Sequence, residues 1–249
     1  MINDIIKVNN LNVQYGDFIL FNNLNFTVNK KDIFIIMGAS GCGKSSLLKV
    51  LTGLVKPSNG DVFIDGKDFF NARIEVKKEI MKNFGVLYQN GALFSSMSLK
   101  ENIMMPLELY SSYRAKEIED IASYKLSLVG LDGFDDFYPS EISGGMKKRA
   151  ALARAIALDP KIVYCDEPSA GLDPISSKQL DDLFLELNQK LNTTFVIVTH
   201  ELSSIFAIGN NSIFLDRDSK NIIARGNPNI LLQNPPNEKI KVFLTRGAK

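Results

Sequence analysis

Eight consecutive residues carry the most specific chemistry in the chain. Gly38-Ala39-Ser40-Gly41-Cys42-Gly43-Lys44-Ser45 fits the phosphate-loop pattern G-x-x-x-x-G-K-[ST] at every fixed position. Glycines let the backbone approach phosphate oxygens and take positive φ. Successive N–H groups and the start of a following helix offer partial positive charge to an anion. Lys44 has the reach for β- and γ-phosphates, and the hydroxyl of Ser45 is the kind of group that ligates Mg²⁺. Ser40 and Ser46 add hydroxyls on either side. The four fixed positions recur by accident in roughly one such chain in a hundred, and an apolar run before the loop with a helical pattern after it lowers that figure. Cys42, inside the loop, reads as a small filler rather than a redox group.

A second cluster follows far downstream. Ile162-Val163-Tyr164-Cys165 is an apolar run that ends in Asp166-Glu167. Taken alone it is either a solvated acidic turn or a functional strand end. Beside a phosphate loop, a strand end is where a metal-holding Asp belongs, with Glu167 as the base that polarises an attacking water. His200, the chain's one histidine, follows another apolar run, Phe195 to Val198. A lone histidine reads first as a surface or packed residue; at a strand end it can also stand near a γ-phosphate.

The elements that must position these residues are visible in the patterning. Residues 5–13 and 18–28 read as strands with a turn at Tyr15-Gly16-Asp17. Ile33 to Met37 is a continuous apolar run, the mark of a buried strand. Ser45 to Leu51 reads as a helix closed by Gly53, and Asp61 to Ile64 as a strand. From about 98 to 155 no strand pattern emerges, while Ile118, Ile121, Ala122, Leu126 and Val129 make a helical face. Lys147 to Leu158 is alanine-rich and predicts a helix ended by Asp159-Pro160. Asp173 as N-cap with Pro174 at the first position opens another helix. Phe195 to Val198 and Ser212 to Leu215 predict further strands. Apolar runs joined by helices imply a parallel sheet covered on both faces. The expectation is an α/β fold with a mostly parallel core sheet, an antiparallel β flank and an inserted helical lobe. One domain is expected, with its core at about 1–90 and 156–225, a helical subdomain at about 91–155, and a tail at about 226–249 that runs over the surface from Pro235-Pro236.

Composition excludes several function classes. The 249 residues carry 29 basic and 28 acidic side chains, a net charge of +1, so nothing in bulk attracts nucleic acid or anionic lipid. No apolar run approaches the roughly 18 residues of a membrane span. The opening residues, Met1 to Lys7, predict no secretory leader. Cys42 and Cys165 cannot make a disulfide framework, and with one histidine they make a structural zinc site improbable. The basic run Lys147-Lys148-Arg149 reads as a solvated or phosphate-facing helix start rather than a nucleic-acid patch.

Between the two clusters lies Ile142-Ser143-Gly144-Gly145-Met146, which resembles the signature of ABC-type ATPases. The remaining motifs fall in that family's order over essentially the whole chain. Tyr15 matches the aromatic that stacks on adenine, residues 38–45 the phosphate loop, and Gln89 the glutamine that senses Mg²⁺ and the membrane partner. Ser143, Gly144 and Gly145 match the signature that acts in trans. Asp166 and Glu167 match the metal-binding and catalytic pair, Asp173 closes the dimer loop begun at Ser169, and His200 matches the switch histidine. Ile142 and Met146 depart from the commoner Leu and Gln. The resemblance implies a P-loop ABC ATPase domain that binds ATP and Mg²⁺. Glu167, His200 and Lys44 would be catalytic, Ser45, Gln89 and Asp166 would hold the metal, and two copies would sandwich two ATPs head to tail.

The resemblance further implies the energising subunit of a membrane transporter, peripheral on the cytoplasmic face of the inner membrane and docked on an integral permease, with no nucleic-acid partner. DNA-repair relatives carry a long coiled coil between loop and signature, whereas Lys44 and Ser143 are only 99 positions apart. Val86 to Leu99, Pro139 to Arg149 and Asp166 to Ile175 look like the matching stretches of the Mla-type phospholipid transport ATPases. That branch implies lipid movement between two membranes with a lipid-binding periplasmic partner. An importer subunit for amino acids or another small polar solute shares every catalytic motif and stays open, and a soluble non-transport ATPase ranks below it. Ala92, Leu93 and Phe94 are the best candidates for a permease-docking groove, ahead of the alternative that they pack internally.

Overall fold

The computed structural model describes residues 3–247. Expectations that fall on Met1, Ile2, Ala248 and Lys249 lie outside them. The chain separates into two compact units, Met1–Ile80 with Thr194–Lys249, and Met81–Thr193.

Alternation dictates the start of the first unit. In β1 (Asp4–Tyr15) and β2 (Phe18–Asn29), Ile6, Val8, Val13, Phe21, Phe26 and Val28 turn inward, separated by polar or exposed positions. The strands pair antiparallel through Lys7↔Thr27 and Tyr15↔Phe18. Next come β3 (Ile33–Gly38), buried along its whole length, and α1 (Lys44–Leu51). Gly53, at φ +78, closes α1 by letting the chain turn left-handed. The short strands β4 (Asn59–Ile64) and β5 (Lys67–Asp68) complete an antiparallel sheet of order β2-β1-β4-β5, and α2 (Ile74–Lys82) follows.

The second unit pairs β6 (Phe84–Leu87) in parallel with a later strand, and the stretch between them is helical. It holds α3 (Leu99–Tyr110), α4 (Ala115–Leu128), a 3₁₀ turn at Pro139–Glu141 and α5 (Gly144–Ala155). Among the described residues no strand interrupts this stretch, as the patterning predicts. Ser98 and Glu101 form a reciprocal capping box at the start of α3. The expected face of α4 is buried at Ile118, Ala122 and Leu126. Then come β7 (Ile162–Asp166), whose Tyr164 lies opposite Val86 of β6, and α6 (Pro174–Leu191). Asp173 caps α6 by accepting from the N–H groups of Ile175 and Ser176 at 3.0 Å each.

The chain then returns to the first unit with β8 (Thr194–Val198), α7 (Leu202–Ile208), β9 (Asn211–Asp216), β10 (Asn221–Arg225), α8 (Pro228–Gln233) and α9 (Glu238–Leu244). There β3 lies between β8 and β9 and runs parallel to both, through Ile35↔Ile197 and Ile36↔Ile213, while β10 adds antiparallel to β9. Parallel strands buried on both faces beside an antiparallel sheet are the arrangement expected from the apolar runs.

Three expectations need correction. Helix α5 starts at Gly144, three residues before Lys147, because Ser143 caps it, and it ends at Ala155 rather than Leu158. The basic run is not a solvated face: Lys148 is only 7% exposed, and Arg149 donates to the carbonyls of Val129 and Gly130. Nor does the tail simply run over the surface, since Ile240 and Leu244 of α9 are buried.

Candidate functional site

In the first unit, β3 delivers the phosphate loop and α1 receives it. Gly38, at φ +150, is packed so tightly that a Cβ would sit 2.4 Å from the Leu215 carbonyl oxygen and 2.7 Å from Cys42 Sγ. Gly43, at φ +98, is the N-cap of α1 and brings no side-chain cap; a Cβ there would meet the Phe21 ring at 2.6 Å. Only glycine fits either place, so the loop's course is set by steric exclusion as much as by flexibility. Lys44 is buried, and its Nζ donates to the carbonyls of Gly38 at 2.9 Å and Ala39 at 3.2 Å. The ammonium is thereby held against the loop's own backbone. Ala39, Ser40 and Gly41 are exposed, and Ser45 and Ser46 are half-buried. A helix start without a side-chain cap, glycine-shaped backbone and a fixed cation together form a receptacle for a polyanion. Burial pushes the Cys42 thiol up, with the Lys44 charge acting against it, which disfavours the thiolate.

Two more predicted residues sit in this unit. Tyr15 ends β1 and is exposed. His200 is exposed just past β8, after the buried Thr199, whose hydroxyl accepts from the Glu201 N–H at 3.0 Å.

The second unit carries Asp166, Glu167 and the stretch Ile142 to Met146. Asp166 ends β7, and Glu167 follows with φ +46, a left-handed conformation uncommon outside glycine. Both are half-buried. Backbone held in a rare region at a strand end marks a position fixed by its surroundings. Pro139–Glu141 leads into buried Ile142. The Ser143 hydroxyl then accepts from the Met146 N–H at 3.2 Å, with Ser143 and Gly144 exposed. The glycines Gly144 and Gly145 therefore form the first turn of α5 rather than preceding it. Gly145 lies close to Ser176 of α6, where a Cβ would come within 3.4 Å. The Ser176 hydroxyl donates to Asp173 at 2.5 Å, and this bond, with the backbone N–H groups, holds the Asp173 carboxyl below the usual carboxylate range. Asp173 and the first turn of α5 thus share Ser176 as a neighbour.

Gln89 is exposed two residues past β6. Its backbone carbonyl accepts from Lys148 Nζ. Burial holds the Lys148 ammonium below the usual lysine range, while Cys165 and Glu167 pull it back up. Arg154, also on α5, donates to the carbonyls of Ala92 at 2.8 Å and Gly91 at 3.0 Å and lies 5.9 Å from the centroid of the Phe94 ring. Asn102 is fully buried and bonds Phe94 through both its N–H and its carbonyl. Two cations of α5 and one asparagine of α3 thus fix the course of residues 89–94. Ala92 and Phe94 face outward, and Leu93 is half-buried.

Sequence reasoning missed Lys148, Arg154 and Asn102 as organisers of this loop. No local signal separates the buried cations from the rest: α5 carries Lys147, Lys148, Arg149 and Arg154, and only pairing at a distance shows which of them organise the loop.

The ABC transporter family profile matches residues 21–170. The intermembrane phospholipid transport system ATP-binding protein MlaF of Haemophilus influenzae is 40% identical over 93% of this chain and 87% of its own length. The protein named probable ribonucleotide transport ATP-binding protein mkl of Mycobacterium tuberculosis is also 40% identical, over 91% of this chain, which spans 63% of that relative's length. Among solved structures, the ATP-binding cassette MJ0796, a dimer in a post-hydrolysis state bound to ADP and Pi, superposes with a TM-score of 0.79 at 27% identity, covering 89% of this chain and 98% of that one.

Proposed function

The chain belongs to the ABC transporter family, and from that membership we propose that it is the ATP-hydrolysing subunit that drives a separate membrane permease. The observation that carries this reading is the phosphate loop of residues 38–45, whose two shaped glycines and fixed Lys44 form a receptacle for the phosphates of a nucleotide. The loop N–H groups and Lys44 bind the β- and γ-phosphates, and Tyr15 stacks on the base. Ser45, Gln89 and Asp166 carry oxygen donors of the kind Mg²⁺ takes and would hold it, and the bound ion would neutralise charge on the transferring phosphoryl group. Glu167 takes the proton from the attacking water, and His200 stabilises charge on the phosphoryl oxygens.

Two copies of the chain associate head to tail, so that Ser143, Gly144 and Gly145 of one face the nucleotide of the other, with Asp173 in the loop between copies. The MJ0796 dimer with ADP and Pi supports this assembly. ATP binding favours the closed pair and hydrolysis releases it, which makes a two-state clamp. Among the described residues no helix is long and apolar enough to cross a membrane. The likeness to MlaF proteins supports a peripheral subunit on the cytoplasmic face of the inner membrane. Its permease contact is the outward-facing Ala92–Phe94 segment.

The cargo is phospholipid, moved between inner and outer membranes with a lipid-binding periplasmic partner. Identity of 35–40% to MlaF proteins of Escherichia coli and Haemophilus influenzae supports this. The test is to tag the chain in its native cell, extract membranes gently and identify co-purifying proteins and lipids by mass spectrometry. A permease with a lipid-binding envelope protein and phospholipid is the expected result. A permease with a solute-binding protein would replace the cargo by a small polar solute. Absence of any membrane partner would overturn the transport reading.

A further inference from the structure

Helix α9, within the first unit, packs against β9, and the turn that follows it reaches Glu201. Ile240 and Leu244 are buried and anchor α9. Phe243 packs edge-on against Phe214 of β9, with ring centroids 4.9 Å apart. Lys239 pairs with Asp216, at the end of β9, at 3.0 Å and with Asp218 at 2.6 Å. Between Phe214 and Asp216 lies Leu215, whose carbonyl oxygen abuts Gly38 of the phosphate loop. The end of β9 thus has α9 on one side and the first glycine of the loop on the other.

At the far end of α9, Arg246 Nη2 reaches Glu201 Oε1 at 3.1 Å. Glu201 directly follows His200. The same carboxylate oxygen accepts from the Ser203 hydroxyl at 3.0 Å, so the residues on both sides of His200 are tied down.

The backbone at Arg246 is informative. Gly247 N–H donates to the Val242 carbonyl at 2.8 Å and Arg246 N–H to the Phe243 carbonyl at 3.3 Å, the double closure of a Schellman turn. In such a turn the left-handed position favours glycine, yet here it is Arg246 at φ +53, with Gly247 next door. The turn itself does not call for arginine. What the arginine adds is the guanidinium that meets Glu201.

We propose that Arg246, in the turn that closes α9, is a positioning residue for His200 acting through Glu201. The proposal rests on the ATPase reading for its kinetic consequence and on geometry alone for its structural one.

Arg246→Gly in the full chain separates positioning from folding, because glycine suits the turn while the ion pair is lost. The expected result is a melting temperature equal to or above wild type. The kcat for Mg-ATP falls about two- to fivefold, as for one exposed ion pair, with KM within about twofold. Arg246→Lys keeps a cation at this place and is expected to retain at least half the wild-type kcat. His200 is the chain's one histidine, so its ring gives one identifiable ¹H–¹³C NMR signal set. That set moves or broadens in Arg246→Gly and Arg246→Glu. The ring signals and kcat both matching wild type in Arg246→Gly would overturn the proposal. A wild-type chain that hydrolyses no ATP counts against the ATPase reading alone, and the His200 ring signals then decide the positioning by themselves.

Discussion

Lys148→Met separates the local work of a buried cation from its global cost. The substitution keeps the apolar stem and removes the ammonium that donates to the Gln89 carbonyl. Two effects oppose each other. A hydrogen bond from a charged donor contributes about 1.5–3 kcal/mol. Against it stands the cost of burying the ammonium, which shows in a titration held below the usual lysine range by burial. The two partly offset, so global stability should change by only about 1 kcal/mol, a melting shift of roughly 2–4 °C for a chain of this size. The loop itself gets no such relief. Opening of the turn closed by Gly91 N–H on the Tyr88 carbonyl becomes easier by the full bond, or roughly 10- to 150-fold. Amide hydrogen exchange read by mass spectrometry across residues 88–94 measures this directly, with the exchange of β3 as the internal control. Exchange of the loop within twofold of wild type would refute the assignment of Lys148 as its anchor. The pH dependence has a fixed sign. The folded state binds fewer protons at Lys148 than the unfolded chain does, so wild-type stability relative to Lys148→Met should rise as pH climbs toward 10.5. Wild-type stability that falls relative to Lys148→Met over that range would contradict the burial argument.

Three further perturbations follow from the same geometry. Glu167→Gln should bind Mg-ATP, trap a dimer visible by size-exclusion chromatography with light scattering, and slow turnover by about 10²-fold or more; turnover at the wild-type rate removes Glu167 as the base. Phe94→Asp should leave nucleotide binding and basal hydrolysis intact but abolish stimulation by the permease in reconstituted membranes, and retained stimulation would move the docking surface elsewhere. Among the described residues, the Tyr164 hydroxyl is the buried side-chain group without a hydrogen-bond partner. Tyr164→Phe should therefore raise stability by about 1–3 kcal/mol in thermal or denaturant unfolding, and a clear loss would show that the hydroxyl is satisfied in solution.

Legibility in the sequence tracked how local the physics was. The phosphate loop, the Asp173-Pro174 helix start and the Gly53 stop are decided within a few residues, and each stands where its pattern puts it. The buried run of β3 and the face of α4 could be read from periodicity for the same reason. Helix α5 began early because one hydroxyl at Ser143 outweighs the poor helical propensity of two glycines at a first turn. Ser98 and Glu101 spell a capping box, yet a proline at 106 inside α3 obscures the pattern that follows it. What could not be read was pairing at a distance. A lysine in a basic run looks solvated until the carbonyl 59 positions upstream is known. The docking of α9 was equally hidden, since Arg246 and Glu201 are 45 positions apart.

The central claim is that this chain hydrolyses ATP through the loop at 38–45. The direct measurement is inorganic phosphate release from Mg-ATP by the purified full chain beside Lys44→Ala, both checked for folding by circular dichroism. The account predicts steady release by wild type and release at background by Lys44→Ala. No release by wild type over a wide range of protein concentration, or equal release by the two chains, would contradict it.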